Sequence, residues 1–452
     1  MEAAGKKVLI MGAARSGIAA SKFLANKGAK VTLTDIKEPS AMKQVEQEIT
    51  SLGIQTLWGV QPEINQLLPD LIIVSPGIPI NIRPLVEANI KGIPVIGEIE
   101  LAYRYSSAPF IAVTGTNGKT TTTALIGQIF KDAQKKVIIG GNIGLPLINY
   151  VEDITAKDLI VAEVSSFQLE TIDKFKPRVA VFLNLTPDHL DRHGTMDNYR
   201  AVKARIFKNQ TEEDFLILNF DDPLVKELAH GAKSHVIFFS RRNKLEEGVY
   251  LADNQIVIDI GEGPVVICSR DQVSIKGNHN LENAMAAVAA GYLLGLEPEE
   301  ISTSLINFPG VPHRLELVAE INGVKFVNDS KGTNPDASIK ALEAYNDPII
   351  LIAGGKNKGS DFRELAAKIK ESVKQVILVG EAAAELKKAM ADEGFKNIYL
   401  AESFADAVQT AYHFAQKGDL VLLSPACSSY DMFNNFEHRG DVFKELVFQL
   451  RG

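Results

Sequence analysis

The residues best suited to chemistry form the turn TGTNGKTT (residues 114–121), which follows an apolar run and opens a helical segment. Glycines let backbone N–H groups face an anion, and the next helix presents its positive end to that anion. We therefore predict an ATP site in which Lys119 reaches the β- and γ-phosphates and the Thr120 hydroxyl holds Mg²⁺. The other loop residues predicted to bind ATP are Gly115, Thr116, Asn117, Gly118 and Thr121.

The spacing of this turn departs from the usual phosphate loop at its first glycine, where Val113 stands. The alternative interpretation is an ordinary turn that happens to contain the tripeptide GKT. The strand expected over residues 109–114 and the helix expected to about Ala133 favour the phosphate loop, because together they supply its usual strand–loop–helix context.

Acidic and imidazole groups follow two further buried runs of this region. Glu163 ends the run 159–163, and a buried carboxylate is costly unless it is paired or binds a cation. We predict that it binds Mg²⁺; the alternative is a satisfied core glutamate or a helix cap. In residues 184–193 we reject a zinc helix, because Leu190 replaces the metalloprotease glutamate. A second Mg²⁺ site with His189 oriented by Asp188 is one interpretation, and we expect His193 at the surface.

A weaker glycine motif, GAARSG (residues 12–17), follows the first apolar run, and Asp35 ends the second. This is the geometry of a dinucleotide site, but Ala14 replaces the glycine that lets a pyrophosphate approach. The pattern therefore favours a nucleotide-like ligand held by the loop and Asp35 over NAD. Residues 75–77 form a second candidate anion loop or a purely structural turn.

Short apolar runs alternate with helical segments along nearly the whole chain, which is typical of parallel sheets with crossover helices. The interruptions predict three α/β domains, residues 1–97, 98–308 and 309–452. Residues 248–275 differ, because short alternating runs broken by turn residues indicate a small antiparallel sheet.

Composition excludes several classes of protein. The 452 residues carry a net charge of −8, which argues against a sequence-independent nucleic-acid binder. Two cysteines, Cys268 and Cys427, form no zinc spacing and fit a reducing compartment. No apolar stretch approaches the length of a membrane span, so we expect a cytoplasmic protein without membrane insertion.

The motifs together resemble the Mur ligases. The shared segments are TGTNGKT (114–120), EVSSFQLE (163–170), NLTPDHLD (184–191), GNHNLEN (277–283) and PHRLE (312–316). Three further segments resemble most closely the family members that add D-glutamate: NDSKGTN (328–334), GGKNKGSD (354–361) and residues 424–440. The DNPR motif of the members that add diaminopimelate or lysine is absent from the sequence.

The resemblance implies a Rossmann-like UDP-binding first domain, a central P-loop ATPase domain and a Rossmann-like amino-acid-binding third domain. It implies that ATP converts the carboxylate of UDP-N-acetylmuramoyl-L-alanine into an acyl phosphate, which D-glutamate then attacks, in peptidoglycan precursor synthesis. A monomer is expected. Valine at position 113 is normal for this family.

The resemblance also assigns residues to each ligand. Those implied for the UDP substrate are Gly12, Ser16, Gly17, Asp35, Ser75, Gly77, Asn142 and Ser165. Those implied for ATP, besides the loop, are Asn280, Arg314 and Asp329, and those for D-glutamate are Thr333, Lys358, Ser429 and Phe436.

Lys203 matches the family's carbamylated lysine, and a carbamate could bind a second Mg²⁺ that a free ammonium would repel. The helical pattern around it favours a solvated lysine instead. The resemblance thus implies a catalytic group of Lys119, Glu163, His189 and Lys203. The implied metal ligands are Thr120, Glu163, His189 and the carbamate on Lys203.

Three other functions remain open from the sequence: another Mur ligase or a folylpolyglutamate synthetase-type ligase, a nucleotide-gated switch that forms no bond, and an NAD-linked oxidoreductase. The substrate dependence of phosphate release separates the ligases from one another. Tight nucleotide binding without turnover would indicate the switch, and nicotinamide absorbance would indicate the oxidoreductase.

Overall fold

A computed structural model describes residues 2–450 and contains three β-sheets with helices packed on their faces. Each sheet lies wholly within one of the three domains expected from the sequence; the domain boundaries themselves stay predictions. Across the described residues, no helix is both long enough and apolar enough to cross a membrane.

The first sheet has five parallel strands in the order β3-β2-β1-β4-β5. Strand β4 is buried along its whole length, as its four consecutive apolar residues predict. The strands are β1 (Lys7–Met11), β2 (Lys30–Asp35), β3 (Gln55–Trp58), β4 (Leu71–Val74) and β5 (Val95–Ile96). The helices are α1 (Arg15–Asn26), α2 (Pro39–Ile49), α3 (Ile64–Leu67) and α4 (Arg83–Ile90).

The central sheet has nine strands in the order β14-β13-β12-β11-β10-β9-β6-β8-β7. They are β6 (Phe110–Thr114), β7 (Val137–Gly141), β8 (Leu159–Glu163), β9 (Val179–Phe182), β10 (Phe215–Asn219), β11 (His235–Ser240), β12 (Gly248–Ala252), β13 (Gln255–Asp259) and β14 (Val265–Ser269). The helices are α5 (Glu98–Tyr105), α6 (Lys119–Asp132), α7 (Ser166–Leu169), α8 (Leu190–His193), α9 (Met196–Ala204), α10 (Pro223–Lys226), α11 (Asn278–Leu293) and α12 (Pro298–Asn307).

The antiparallel strands expected over residues 248–275 are present as β12, β13 and β14. They do not stand apart, because β12 also pairs in parallel with β11 through Phe239–Val249 and Ser240–Tyr250. They therefore extend the edge of the parallel sheet.

The third sheet has six strands in the order β15-β16-β20-β17-β18-β19, and only the β15–β16 pair is antiparallel. The strands are β15 (Glu316–Ile321), β16 (Val324–Asn328), β17 (Ile349–Gly354), β18 (Val373–Val379), β19 (Ile398–Leu400) and β20 (Leu420–Ala426). The helices are α13 (Pro335–Glu343), α14 (Arg363–Ser372), α15 (Ala383–Asp392), α16 (Phe404–Phe414) and α17 (Phe436–Gln449).

The sheet orders decide which loops meet. Parallel neighbours end at the same edge of a sheet, and ligands of open α/β sheets bind outside those carboxyl ends. The loops after β1, β2 and β4 therefore share one edge, as do the loops after β6, β8 and β9, and those after β16, β20 and β17.

Candidate active site

The phosphate loop joins β6 to α6, and at two positions its backbone conformation favours glycine. Gly115 and Gly118 have φ angles of +148° and +85°, which L side chains rarely adopt. A Cβ on Gly118 would approach Asn283 Oδ1 to 2.3 Å, so packing against α11 also requires glycine. Lys119 Nζ donates to the carbonyl oxygens of Gly115 (3.0 Å) and Thr116 (2.7 Å). The ammonium group therefore lies over the loop where phosphates are expected.

Glu163 ends β8 beside this loop and is only 2% exposed. Its Oε2 accepts a hydrogen bond of 2.6 Å from Thr120 Oγ1, and its Oε1 accepts one of 2.8 Å from Asn142 Nδ2. Burial alone would raise the pKa of this carboxyl, but the ammonium groups of Lys331 and Lys119 hold the pKa below its usual value. Glu163 is therefore an ionised carboxylate next to a hydroxyl group, and hard cations bind such oxygen pairs.

The segment after β9 carries His189 toward the phosphate loop. Burial lowers the pKa of the imidazole, the Asp188 carboxylate opposes that shift, and Lys358 and Lys119 add to it. The imidazole is thus neutral at pH 7, as a metal ligand must be. Its Nε2 lies 3.7 Å from Asp188 Oδ2, which is longer than a hydrogen bond. Asp188 instead accepts the backbone N–H of His189 at 2.9 Å.

Lys203 projects inward from α9 and is 1% exposed, so the expectation of a solvated helical lysine is wrong. Its Nζ donates to the carbonyl oxygen of Gly115 at 2.8 Å and lies 4.8 Å from the ring centroid of Tyr199. Burial, with the nearby Lys119 ammonium, lowers the pKa of Lys203 well below its usual value. Both effects favour the uncharged form of this amine over the ammonium form.

The glycine turn of the first sheet is closely packed against the loop after β4. Ser75 Oγ donates to the carbonyl oxygen of Gly12 at 3.1 Å. A Cβ on Gly17 would approach that same carbonyl oxygen to 1.8 Å, so only glycine fits there. Asp35 Oδ2 accepts the backbone N–H of Ala13 at 2.8 Å. Four of the residues predicted for the UDP substrate, Gly12, Gly17, Asp35 and Ser75, thus lie together.

The remaining residues predicted for the UDP substrate come from several loops. Arg15 Nη1 donates to the carbonyl oxygen of Gly144 at 3.3 Å, which joins the start of α1, with Ser16, to the loop that contains Asn142. Ser165 caps α7, where its Oγ accepts the backbone N–H of Gln168 at 3.3 Å. Gly77 is exposed just after β4.

A cavity of about 660 Å³ lies between the central and third sheets. Asn280, Arg314 and Tyr345 line it together with apolar side chains, which is the usual character of a small-molecule site. Arg314 Nη1 lies 3.7 Å from Asp329 Oδ1. Within residues 2–450, Arg314 Nε and Asp329 Oδ1 are buried without a hydrogen-bond partner. Arg314 lines the cavity, so a polar ligand bound there would pair with its guanidinium group.

The four residues predicted for D-glutamate follow three neighbouring strands of the third sheet. Thr333 lies in the loop after β16, Lys358 after β17, and Ser429 and Phe436 after β20. The last two loops are tied together, because Lys356 N donates to the carbonyl oxygen of Ser428 at 2.9 Å. Ser429 is buried and Lys358 is exposed.

Three family models match successive parts of the chain. They are the Mur ligase MurD-like N-terminal domain (residues 6–97), the Mur ligase middle domain (113–291) and the Mur ligase glutamate ligase domain (313–427). A curated protein of Pelotomaculum thermopropionicum, named UDP-N-acetylmuramoylalanine–D-glutamate ligase, is 54% identical over 446 residues, covering 99% of this chain and 98% of that protein. The chain belongs to the Mur ligase family. The Clostridioides difficile protein of the same name is 45% identical over 454 residues, covering all of both chains.

Solved Mur ligases share the fold of this Mur ligase at low sequence identity. A crystal structure of MurF from Acinetobacter baumannii has a TM-score of 0.64 at 18% identity, covering 99% of this chain and 91% of that one. MurC from Thermotoga maritima has a TM-score of 0.60 at 18% identity, covering 99% and 100%. The three-domain α/β fold expected from the sequence is thereby confirmed.

Lys331 is a site residue of this Mur ligase that the sequence analysis did not single out. Burial lowers the pKa of its ammonium group to about 8, against the raising effect of Glu163. The Nζ lies 4.6 Å from the ring centroid of Phe436. A charge from the third domain therefore acts on the carboxylate of the central domain. The only signal in the sequence was its place in the segment NDSKGTN (residues 328–334).

The expectation that His193 lies at the surface is wrong. Its ring nitrogen Nε2 lies 3.0 Å from Ser166 Oγ, and its ring packs between Phe167 and Tyr199 at centroid distances of 5.6 and 5.2 Å. Only 7% of the residue is exposed. Helix α8 thus places this histidine against the aromatic side chains of Phe167 and Tyr199.

The described part of this Mur ligase contains no group of three or more His, Cys, Asp or Glu side chains placed to hold a metal ion. The predicted Mg²⁺ ligands do not form such a group, because only Glu163 and His189 are of those four residue types. The other two predicted ligands are the Thr120 hydroxyl and a carbamate on Lys203. The contact of 2.6 Å between Thr120 Oγ1 and Glu163 Oε2 fits such oxygen ligands.

Proposed function

We infer that this Mur ligase is an ATP-dependent enzyme that joins D-glutamate to UDP-N-acetylmuramoyl-L-alanine, forming ADP and phosphate, in peptidoglycan precursor synthesis. The observation that carries the reaction type is that two lysines from different domains, Lys119 and Lys331, both act electrostatically on Glu163 beside one phosphate loop. The whole-chain identity of 54% to a curated D-glutamate ligase supports the choice of substrates.

The first step uses the phosphate loop. A carboxylate oxygen of the alanyl group attacks the γ-phosphorus of ATP, the bond to the bridging oxygen breaks, and ADP leaves. Lys119 and the backbone N–H groups at the start of α6 stabilise the negative charge that gathers on the phosphates. Glu163, Thr120, His189 and a carbamate on Lys203 would hold Mg²⁺, which when bound neutralises phosphate charge.

The second step needs an amine close to the acyl phosphate. The D-glutamate nitrogen attacks the acyl carbon, phosphate leaves, and the nitrogen releases a proton. Lys358 provides a positive charge for a carboxylate of D-glutamate, while Thr333, Ser429 and Phe436 would position the rest of it. Their loops share one edge of the third sheet, which supports a single pocket.

The remaining ligand assignments follow the same domains. Asn280, Arg314 and Asp329 would bind the nucleoside part of ATP, and the unpaired buried atoms of Arg314 and Asp329 support this. The first domain would hold the UDP group through Gly12, Gly17, Asp35 and Ser75. We place the domain boundaries at residues 97/98 and 308/309 and expect a cytoplasmic monomer.

Phosphate release tests this function directly. The purified chain is incubated with ATP, Mg²⁺ and UDP-N-acetylmuramoyl-L-alanine, and then with D-glutamate, L-glutamate, L-alanine or L-lysine in separate reactions. We expect phosphate and a new peptide bond only with D-glutamate.

The alternatives give different results in the same assay. Release with another amino acid would keep the ligase chemistry but assign a different third-domain substrate. Nucleotide binding without release in any reaction would contradict the ligase and favour a nucleotide-gated switch.

A further inference from the structure

The first turn of α13, in the third domain, lies directly against the phosphate loop of the central domain. Asp336 Oδ2 accepts a hydrogen bond from Asn117 Nδ2, whose residue belongs to the phosphate loop. The same oxygen accepts a second bond of 3.3 Å from Thr186 Oγ1, in the segment that follows β9. One carboxylate of the third domain thus contacts two loops of the central domain.

Asn334 provides a second connection from the same turn. Its Oδ1 accepts the backbone N–H of Ala337 at 2.8 Å and caps α13. Its Nδ2 lies 3.4 Å from both Asn117 Oδ1 and Asp188 Oδ2. The cap that fixes the start of α13 therefore also fixes its position relative to the phosphate loop and to the segment that carries His189.

Asn117 is held rigidly on its other side. Its backbone N–H donates to Asn184 Oδ1 at 2.8 Å, and its carbonyl oxygen accepts from Asn184 Nδ2 at 3.0 Å. The backbone of Asn117 is therefore held by the central domain, and its side-chain amide connects the phosphate loop to Asp336. The amide is a donor to the carboxylate, so the contact depends on a hydrogen bond rather than on opposite charges.

The charge of Asp336 excludes a direct role in phosphate binding, because a carboxylate repels phosphate oxygens. Lys340 Nζ, one turn further along α13, lies 2.9 Å from Asp336 Oδ2 and offsets part of this charge. Thr333, predicted to contact D-glutamate, lies three residues before Asp336. The amine pocket and the contact with the phosphate loop thus belong to one short segment.

We propose that Asp336 is a positioning residue that fastens the third domain to the phosphate loop through Asn117 and Thr186, so that the amine meets the acyl phosphate. The proposal rests on the ligase function inferred above. It assigns to Asp336 a role in holding the third domain against the central domain and none in the affinity for either nucleotide.

The test compares Asp336→Ala with Asp336→Asn, which keeps an oxygen acceptor for the Asn117 amide but loses the charge. Glu364→Ala is the matched control, since Glu364 is an exposed acid in the first turn of the next helix of the same domain. We expect Asp336→Ala to lower kcat about tenfold with little change in KM for ATP or the UDP substrate. Asp336→Asn and Glu364→Ala should stay near wild type.

Small-angle scattering of the full chain with Mg²⁺, a non-hydrolysable ATP analogue and the UDP substrate provides a second readout. We expect a larger radius of gyration for Asp336→Ala than for wild type, and no increase for Asp336→Asn. If Asp336→Ala fails to fold, Thr186→Val removes the second donor and should give a smaller change of the same kind.

Wild-type kcat and radius of gyration in Asp336→Ala would overturn the proposal, as would equal losses in Asp336→Ala and Asp336→Asn. A wild-type chain that releases no phosphate would instead contradict the ligase function. The scattering comparison needs no turnover, so the two failures are distinguishable.

Discussion

The Nζ of Lys203 lies 2.8 Å from the backbone carbonyl oxygen of Gly115, so a lysine from α9 is bound to the first glycine of the phosphate loop. Burial lowers the pKa of this amine, and Lys119 nearby lowers it further. An uncharged amine can attack CO₂, forming a nitrogen–carbon bond and releasing a proton. The position and the pKa of Lys203 both suit the carbamate that the proposed Mg²⁺ site needs.

Lys203→Ala should therefore lose activity by about a hundredfold or more, because a Mg²⁺ ligand disappears from the site. Added short carboxylates such as acetate should restore part of it by entering the space left by the side chain. Phosphate release at increasing acetate concentration measures the effect. Lys208→Ala, an exposed lysine that follows shortly after in the chain, is the control and should behave as wild type. Full activity of Lys203→Ala would contradict the role.

Glu163→Gln should retain the hydrogen bonds to Thr120 and Asn142 in part but remove the negative charge. We expect kcat to fall about a hundredfold and the Mg²⁺ concentration for half-maximal activity to rise. A Mg²⁺ titration of phosphate release checks both changes. Glu212→Gln, at an exposed position of the same domain, should leave the titration unchanged. An unchanged Mg²⁺ requirement in Glu163→Gln would exclude Glu163 as a ligand.

Lys358→Ala should raise KM for D-glutamate about tenfold, because a carboxylate of the amino acid loses a positively charged partner. KM for ATP and for the UDP substrate should remain near wild type. Lys356→Ala is a matched control two residues away on the same loop, also exposed. A rise in KM for the UDP substrate alone would show that Lys358 belongs to another pocket.

The buried carboxyl group of Glu98, at the start of α5, should make the stability of the protein depend on pH. Burial raises the pKa of its carboxyl to about 7, although the backbone N–H groups of Ile148 and Leu147 oppose that rise. Between the unfolded pKa of 4.5 and about 7, the folded state binds more protons than the unfolded state. The free energy of unfolding therefore falls as pH rises through this window.

Glu98→Gln removes this titration. Its free energy of unfolding relative to wild type should rise by roughly 2 kcal/mol between about pH 5 and about pH 8. Urea titrations at several pH values measure the difference. Glu213→Gln, at an exposed position, should show a flat difference across the same range. A flat difference for Glu98→Gln would show that the carboxyl is ionised throughout.

Local patterns in the sequence were sufficient for most elements and for the phosphate loop. The expected strands over residues 109–114 and 159–163 agree with β6 and β8 within one residue, because a run of consecutive apolar residues is typical of a central strand buried on both faces. The phosphate loop at residues 115–118 could also be predicted from the sequence, because the strand, the glycines and the helix N-terminus all lie within a few consecutive residues.

Contacts between distant residues were decided only by the tertiary structure. Residues Tyr199 and Lys203 are one helical turn apart on a largely polar helix, and nothing in that pattern shows that they face the phosphate loop. The meeting of Lys331 with Glu163, and of Asp336 with Asn117, joins residues from different domains. The sequence by itself determined the elements and the chemistry of each loop, because these depend on neighbouring residues. Which loops meet depends on strand order and domain packing, and so only the folded chain decides which side chains act together.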